Sequence, residues 1–168
     1  VERCIIETEL GDIEVELYPE KAPLTVANFL RYVDSNYYEN SSFFRTCTPE
    51  NEEDREIIIQ VIQGGNVPDS LQFAAIKLET TQETGVLHEN GTISTARAEP
   101  NTATSEFFIC INNQPELDFA GKRNPDGQGF AAFGKVVKGM DIVKNIQAKK
   151  NTEQFLENPV KIISIKRK

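Results

Sequence analysis

Apolar and acidic residues alternate near the N-terminus, in a pattern typical of a strand with one face in water. The alternation runs over residues 13–18, and an apolar run over residues 4–8 precedes it. Gly11 and its neighbours separate the two runs as a turn. Because successive side chains of a strand point to opposite faces, these segments predict a β-hairpin with a charged outer face.

A helical spacing follows the hairpin. Pro23 lacks only an N–H group that the first turn of a helix would leave unpaired. Apolar side chains then recur every three or four residues, at Val26, Phe29, Leu30 and Val33. This spacing places them on one stripe, so it predicts a helix that begins at Pro23 and ends at residues 34–36.

Strand-forming residues dominate the rest of the chain. β-branched and aromatic side chains predict strands at residues 42–47, 57–63, 91–96, 105–111, 131–137 and 160–165. Residues 140–146 carry apolar side chains spaced for a second short helix. Residues 121–129 contain three Gly and one Pro, which predicts a loop.

The connections between the strands indicate the architecture. About seven or eight short strands are joined by turns instead of helices, which favours an antiparallel sheet in a mainly β protein. Closing that sheet into a barrel would leave no exposed edge. No repeat, low-complexity tract or linker interrupts the sequence, so we expect a single domain over residues 1–168.

Composition narrows the functional classes. Hydrophobic residues are 39% and charged residues 26% of the chain, as in ordinary globular proteins. The net charge of −8 argues against a nucleic-acid partner, which needs a concentrated basic face. No apolar run is long enough for a membrane span. Three scattered Cys and one His offer no clustered metal site, and we expect all three thiols to be buried or half-buried.

Five stretches of the sequence, in the same order, resemble the cyclophilin family of peptidyl-prolyl cis-trans isomerases. They are APLTVANF (22–29), FFR (43–45), VIQGGN (61–66), PNTATSEFFI (100–109) and FAAFGKVVKGMD (130–141). The resemblance runs from about residue 5 to residue 166, and the loop 124–129 is similar to that of a bacterial branch. It implies a closed eight-stranded antiparallel β-barrel capped by two α-helices, and an isomerase that assists protein folding.

The chemistry implied by this resemblance needs no cofactor and no metal. Rotation about an X–Pro bond is slow because resonance gives its C–N bond partial double-bond character. Rotation localises a lone pair on the prolyl nitrogen, so a donor aimed at that atom stabilises the twisted state selectively. The resemblance assigns this catalytic role to Arg45. It assigns to Gln63 the tasks of contacting the substrate backbone and holding the arginine.

A peptide-binding surface is implied in the same way. It comprises Phe44, Gln60, Val61, Ala96, Arg97, Glu106, Phe108, Leu117 and Phe130. Taken singly, an Arg on a strand is usually a surface charge, and Phe107-Phe108 is usually core. The only histidine, His88, lies in a turn region and is expected to be structural.

Several positions depart from the usual pattern of the family. Gln60 stands where a phenylalanine of the proline pocket is usual, Glu106 where a glutamine is usual, and Phe130 where a histidine is usual. We therefore expect reduced activity. No Trp is present, and Glu116 lies nearest to the position of the Trp that many members use for cyclosporin. We expect weak or no cyclosporin binding.

An acidic segment, residues 48–56, is inserted between two predicted strands. It holds five acidic residues and one basic residue, Arg55, so its net charge is −5 + 1 = −4. Such a segment is expected to be a solvated loop. The alternative is a lip of the groove that selects basic or neutral client peptides.

The expected partners are proline-containing peptides and unfolded protein clients, bound by a monomer. The alternative to an enzyme is a weakly active or inactive module that binds Pro-containing segments as a chaperone or scaffold. A small ligand inside the barrel is a third possibility, which the apolar interior positions disfavour. The missing initiator Met and the bacterial style favour an exported, periplasmic protein, with a cytoplasmic one as the alternative.

Overall fold

The alternation near the N-terminus produces the hairpin that it predicts. In the computed structural model, which describes residues 1–168, two antiparallel strands pair from Glu2↔Leu17 to Thr8↔Gly11. The nine strands are β1 (Glu2–Thr8), β2 (Gly11–Leu17), β3 (Ser42–Cys47), β4 (Val61–Gly64), β5 (Thr92–Thr95), β6 (Phe107–Cys110), β7 (Ala132–Lys138), β8 (Asn151–Thr152) and β9 (Phe155–Arg167).

The strands form one closed antiparallel barrel. Their order is β1-β2-β7-β5-β6-β4-β3-β9, and a second pairing of β1 with β9, centred on Ile6↔Ile165, closes the ring. The two-residue strand β8 pairs only with the start of β9 and stands outside the ring. The predicted eight-stranded barrel is therefore confirmed, with one additional short strand.

Three α-helices accompany the barrel, one more than predicted. They are α1 (Pro23–Asp34), α2 (Thr81–Thr84) and α3 (Met140–Gln147). Helix α2 is a single turn, and its first residues form a local N-cap. The Thr80 hydroxyl accepts from the Glu83 N–H at 3.3 Å, and Gly85 ends the turn at φ 76°. A Thr three residues before a Glu is the signature of a capped helix start. None of the helices is both long and apolar enough to span a membrane.

Side chains fill the interior of the barrel. Twenty-seven buried residues form one continuous cluster there. The α1 residue Phe29 lies at its centre, with ring centroids 5.4 Å from Tyr38, 5.6 Å from Phe107 and 5.3 Å from Phe133. An eight-stranded barrel is just wide enough for such packing, so its interior is a core and not a ligand chamber.

One predicted strand is wrong over half its length. Residues 57–63 were expected to form a strand because of their β-branched content, but β4 begins only at Val61. The N–H of Ile59 donates to the Glu52 carboxylate at 3.1 Å instead of joining a strand partner. A side chain from the preceding acidic segment thus replaces the ladder bond, and residues 57–60 remain a loop.

Candidate active site

The alternation of β4 and β6 creates two apolar surfaces. On β6, Phe107 and Ile109 face the barrel core, whereas Phe108 and Cys110 face outwards. The outward side chains join a second buried cluster whose members are Cys47, Ile59, Val61, Phe108, Cys110 and Leu117. Partly buried Ala96 and Phe130 pack against it. The outer face of these strands is therefore also apolar and half-enclosed.

A cavity opens over this second cluster. Its volume is about 180 Å³, several times the roughly 30 Å³ that a water molecule occupies. The lining residues are Arg45, Ile59, Val61, Gln63, Ala96, Arg97, Phe108, Leu117, Arg123 and Phe130. Apolar side chains make up most of the wall, and polar side chains lie among them. This is the usual composition of a small binding pocket.

Sheet register places Arg45 beside Gln63. The two residues are direct partners in the β3–β4 pairing, so their side chains share the face that carries the cavity. Arg45 Nη1 donates to Gln63 Oε1 at 2.9 Å, and Arg45 Nη2 donates to Gln154 Oε1 at 2.6 Å. The guanidinium is thus fixed at the cavity by two amide oxygens.

Phe130 and Phe108 form an aromatic corner of the cavity. Their ring centroids are 5.2 Å apart at 84°, an edge-to-face arrangement. The guanidinium of Arg97 lies 5.2 Å over the Phe130 ring. It also donates two bonds of 3.0 Å to the Asp126 carboxylate and two bonds, of 3.0 and 2.7 Å, to the Gly129 carbonyl. Arg97 therefore braces the loop 121–129, and with it Phe130, against the pocket.

His88 supports Phe108 from behind. The two rings are stacked with centroids 5.8 Å apart. The His88 Nδ1 lies 2.7 Å from Asp118 Oδ1, and its Nε2 lies 2.8 Å from Ser94 Oγ. His88 and Ser94 are both buried. The histidine ring is enclosed and both of its nitrogens have partners within the protein, so the structure agrees with a structural role for the histidine.

Eight of the eleven expected site residues line the cavity, and three do not. Glu106 lies in an adjoining depression with Gln63, Ala96 and Arg97. Half-buried Phe44 lines neither space. The expectation for Gln60 requires a correction, because its Oε1 accepts from the Nε2 of Gln147 in α3 at 3.2 Å.

Ile59 supplies the apolar wall that Gln60 does not. It is 5% exposed and lines the cavity, one residue earlier than the position expected to do so. The loop conformation of residues 57–60 brings it there. The cavity wall is therefore apolar at this point, although residue 60 is a glutamine.

The acidic segment is anchored to the site, and its description as purely solvated is wrong at Glu52. This side chain has no exposed surface, while Glu50, Glu53, Asp54 and Glu56 are exposed. Glu52 Oε1 accepts from Arg123 Nη1 at 2.6 Å, and Oε2 accepts from Arg123 Nη2 at 3.1 Å. Burial raises the pKa of Glu52, but the bonds from Arg123 and from the Ile59 N–H outweigh it and hold the pKa below its ordinary value of 4.5.

Arg123 and Ile59 therefore line the cavity, and Gln154 binds Arg45, although the sequence pattern did not single out any of the three. Arg123 lies in the Gly-rich loop, and Gln154 lies in the turn between β8 and β9. Neither position has a local signal, because each reaches the site from a distant segment. No group of three or more His, Cys, Asp or Glu side chains is gathered as a metal site.

The three cysteine thiols lie in buried positions. Cys4, Cys47 and Cys110 are all buried, as expected, and each is a free thiol. Burial raises the pKa of Cys4 to about 11 and the pKa of Cys47 above its usual value. A thiol held in its neutral form is a poor nucleophile, and none of the three lines the cavity.

Comparison with known proteins identifies the family. The sequence model of the "Cyclophilin type peptidyl-prolyl cis-trans isomerase/CLD" family matches residues 3–167. A peptidyl-prolyl cis-trans isomerase of Acinetobacter baylyi is 38% identical over 170 residues, covering 95% of this chain and 82% of the relative. Peptidyl-prolyl cis-trans isomerase B of Escherichia coli is 33% identical over 143 residues, covering 83% of this chain and 80% of the relative.

A solved structure shares the fold. A cyclophilin-type isomerase of Cryptosporidium parvum superimposes with a TM-score of 0.79 at 21% identity, covering 99% of this chain and 97% of the other. A structure of the same protein, obtained in the presence of the dipeptide Ala-Pro, gives a TM-score of 0.76. With the matched family model and the bacterial relatives, these findings show that the chain belongs to the cyclophilin-type peptidyl-prolyl cis-trans isomerases.

Proposed function

We propose that the protein accelerates isomerisation of X–Pro bonds by directing the Arg45 guanidinium at the prolyl nitrogen. The observation that carries this proposal is the position of Arg45 at an apolar cavity, with its guanidinium held on one side. A guanidinium has five N–H donors, and two of them bind Gln63 and Gln154. The other three are not used by these bonds.

The apolar wall gives the donor its effect. A proline ring seated against Phe108, Val61 and Leu117 removes water from the bond that rotates. A charged donor interacts more strongly in such a desolvated site than in water. Because the prolyl lone pair becomes available only when the amide is twisted, the interaction stabilises the transition state more than either planar isomer.

A short peptide tests this mechanism. Exchange spectroscopy by NMR measures cis–trans exchange of an Ala-Pro-Phe peptide directly, without a coupled protease. We expect the wild type to accelerate exchange and Arg45→Ala to lose most of the acceleration. Arg3→Ala, which removes an arginine of the N-terminal hairpin, serves as the control and should retain it. Equal exchange rates for Arg45→Ala and the wild type would exclude Arg45 as the donor.

The proposed substrates are proline-containing segments of unfolded proteins and exposed loops. The relative crystallised with Ala-Pro has the same fold, which makes that dipeptide a suitable binding probe for the cavity. If the peptide signals shift on titration but exchange is not accelerated, the groove binds without turnover, and the scaffold alternative holds.

We further propose that cyclosporin binds weakly. Glu116 is the residue nearest to the usual Trp position, and it does not line the cavity. Its Oε1 accepts from the Lys122 N–H at 3.3 Å, within its own loop. The indole N–H and the apolar area of a Trp are both missing. Calorimetric titration is expected to give no nanomolar affinity, and a nanomolar Kd would contradict the proposal.

A further inference from the structure

The guanidinium of Arg45 is held by two glutamines that are oriented in the same way. Gln63 and Gln154 each turn the amide oxygen towards Arg45. Each then donates from its amide nitrogen to a carboxylate on the far side. The Gln63 Nε2 donates to Glu106 at 2.9 Å, and the Gln154 Nε2 donates to Glu52.

This arrangement keeps both carboxylates one side chain away from the arginine. A carboxylate in direct contact would neutralise the guanidinium and occupy two of its donors at once. An amide oxygen holds the same group without adding charge. An amide, however, has a donor end and an acceptor end of nearly equal shape. The guanidinium only donates and an ionised carboxylate only accepts, so the two groups together fix which end of each glutamine faces Arg45.

The contacts of Glu52 exceed those of an ordinary loop carboxylate. Its side chain is fully buried, and both oxygens bind Arg123. It also accepts from the Ile59 N–H at 3.1 Å and lies 3.1 Å from Arg55 Nε. A buried charge is costly unless it is paired and hydrogen-bonded. The exposed acids beside it show that this segment can carry charge in water, so solubility does not require the burial of Glu52.

Gln154 is positioned for a link between Glu52 and Arg45. It is 7% exposed and has φ 77°, a left-handed conformation that a glutamine rarely adopts. Its backbone carbonyl accepts from the Thr46 N–H at 2.8 Å, next to Arg45 on β3. The unfavourable backbone conformation is thus retained where the side chain joins the two segments.

We propose that Glu52 is a positioning residue for the isomerase reaction, acting through Gln154 on Arg45. The inference rests on the proposed role of Arg45. Glu52 holds the Gln154 amide with its oxygen towards the guanidinium, and Arg123 holds Glu52 ionised in place. The inserted acidic segment therefore belongs to the catalytic machinery through this one side chain.

Glu52→Gln tests the relay with almost no change in volume. One of its two terminal atoms becomes an NH2 group, so a donor meets the donors of Gln154, Arg123 or the Ile59 N–H. We expect kcat to fall about tenfold because the guanidinium is less well oriented, while KM for the peptide stays near the wild-type value. The matched control is Glu53→Gln, which removes the same charge from an exposed neighbour and should leave both parameters unchanged.

A double variant separates positioning from general damage. In the Arg45→Ala background, Glu52→Gln should cause no further loss of kcat, since the group that it positions is gone. A second tenfold loss in that background would overturn the proposal. So would a folded Glu52→Gln protein with wild-type kcat.

Gln154→Asn provides a second variant if Glu52→Gln does not fold. Asn tolerates the left-handed conformation, but its side chain is one methylene too short to reach both Glu52 and Arg45. We expect a similar loss of kcat, and wild-type kcat in this variant would also overturn the relay. If Arg45→Ala itself is fully active, the proposed mechanism fails. If only the two relay variants are fully active, the relay alone fails.

Discussion

At the scale of single residues, the two carboxylates near Arg45 differ in whether a bound peptide can contact their charge. Glu52 is enclosed and paired, so substrates do not meet its charge. Glu106 is only half-buried and lines the depression beside the cavity, together with Gln63 and Ala96. A peptide that extends from the proline pocket into this depression would meet a carboxylate whose one described partner is the neutral amide of Gln63.

Substrate charge should therefore affect the reaction through Glu106. We expect a peptide with Lys near its proline to have a lower KM than the same peptide with Glu, because the carboxylate attracts one and repels the other. Glu106→Gln should bring the two KM values together. Measuring exchange for both peptides at low and high salt provides the check, since screening reduces the same difference. Equal KM values in the wild type would refute this prediction.

At the scale of elements, contacts between distant segments complete what local sequence leaves open. The start of α1 has no side-chain cap of its own, since Ala22 occupies the cap position. Glu79, more than fifty residues later, accepts from the Leu24 N–H at 3.3 Å and from the Thr25 N–H at 2.7 Å. A carboxylate at a helix N-terminus satisfies free N–H groups and interacts favourably with the helix dipole.

Removing this distant cap should destabilise the protein without affecting the site. We expect Glu79→Ala to lower the free energy of unfolding by about 1–2 kcal/mol, the usual value of an N-cap. Urea unfolding followed by circular dichroism measures the change, with the exposed Glu20 replaced by Ala as the control. An unchanged unfolding midpoint would show that solvent caps the helix equally well.

The acidic segment, like the start of α1, is held by side chains from distant parts of the chain. Asn51 Nδ2 lies 3.2 Å from Asn151 Oδ1 of β8, and Glu52 binds Arg123 and Gln154. The segment is thus attached to the β8–β9 turn and to the loop 121–129. Its remaining acids are exposed, and the hypothesis that they form a selective lip stays a prediction.

For the whole molecule, the excess of acidic residues coexists with carboxyls that the fold holds in their charged form. The chain carries a net charge of −8, which favours solubility. Four carboxyls nevertheless have a pKa below the ordinary value, namely Glu14, Asp34, Glu52 and Asp126. Apart from Glu52, the main cause is a hydrogen bond from a cation, donated by Lys168 to Glu14, by Arg167 to Asp34 and by Arg97 to Asp126.

These carboxyls predict the response of the fold to acid. A carboxyl with a lower pKa in the folded state binds protons more weakly there than in the unfolded chain. Its stabilising effect is complete above the unfolded value and is lost as the pH falls through the folded pKa. We expect Tm to decrease as the pH falls below about 5, and to decrease less steeply in Glu52→Gln, where one such group is missing.

Thermal unfolding at several pH values checks this expectation. The Glu53→Gln protein serves as the control, because the exposed Glu53 side chain forms no ion pair. It should keep the wild-type slope of Tm against pH. A Glu52→Gln protein with the same slope as the wild type would show that the Glu52 carboxyl is not stabilised by its contacts in the folded state.

Features that depend on local periodicity and on motifs could be predicted from the amino-acid sequence. Alternation predicted the β1–β2 hairpin, and the three-to-four spacing predicted the bounds of α1. The five ordered motifs indicated the family and the barrel, and the resemblance that they carry implied eight of the side chains that line the cavity. These features are visible in sequence because a strand face, a helix stripe and a motif each depend on residues that are close along the chain.

The remaining parts of the site depend on contacts between segments that are distant along the chain. Ile59 replaces Gln60 in the cavity wall because a carboxylate seven residues earlier binds its N–H and prevents strand pairing. Gln154 reaches Arg45 across 109 positions. Arg123 pairs with a glutamate 71 positions away. Such contacts are set by the closure of the barrel and by the need to pair every buried charge. Neither can be recognised from the spacing of residues along the chain.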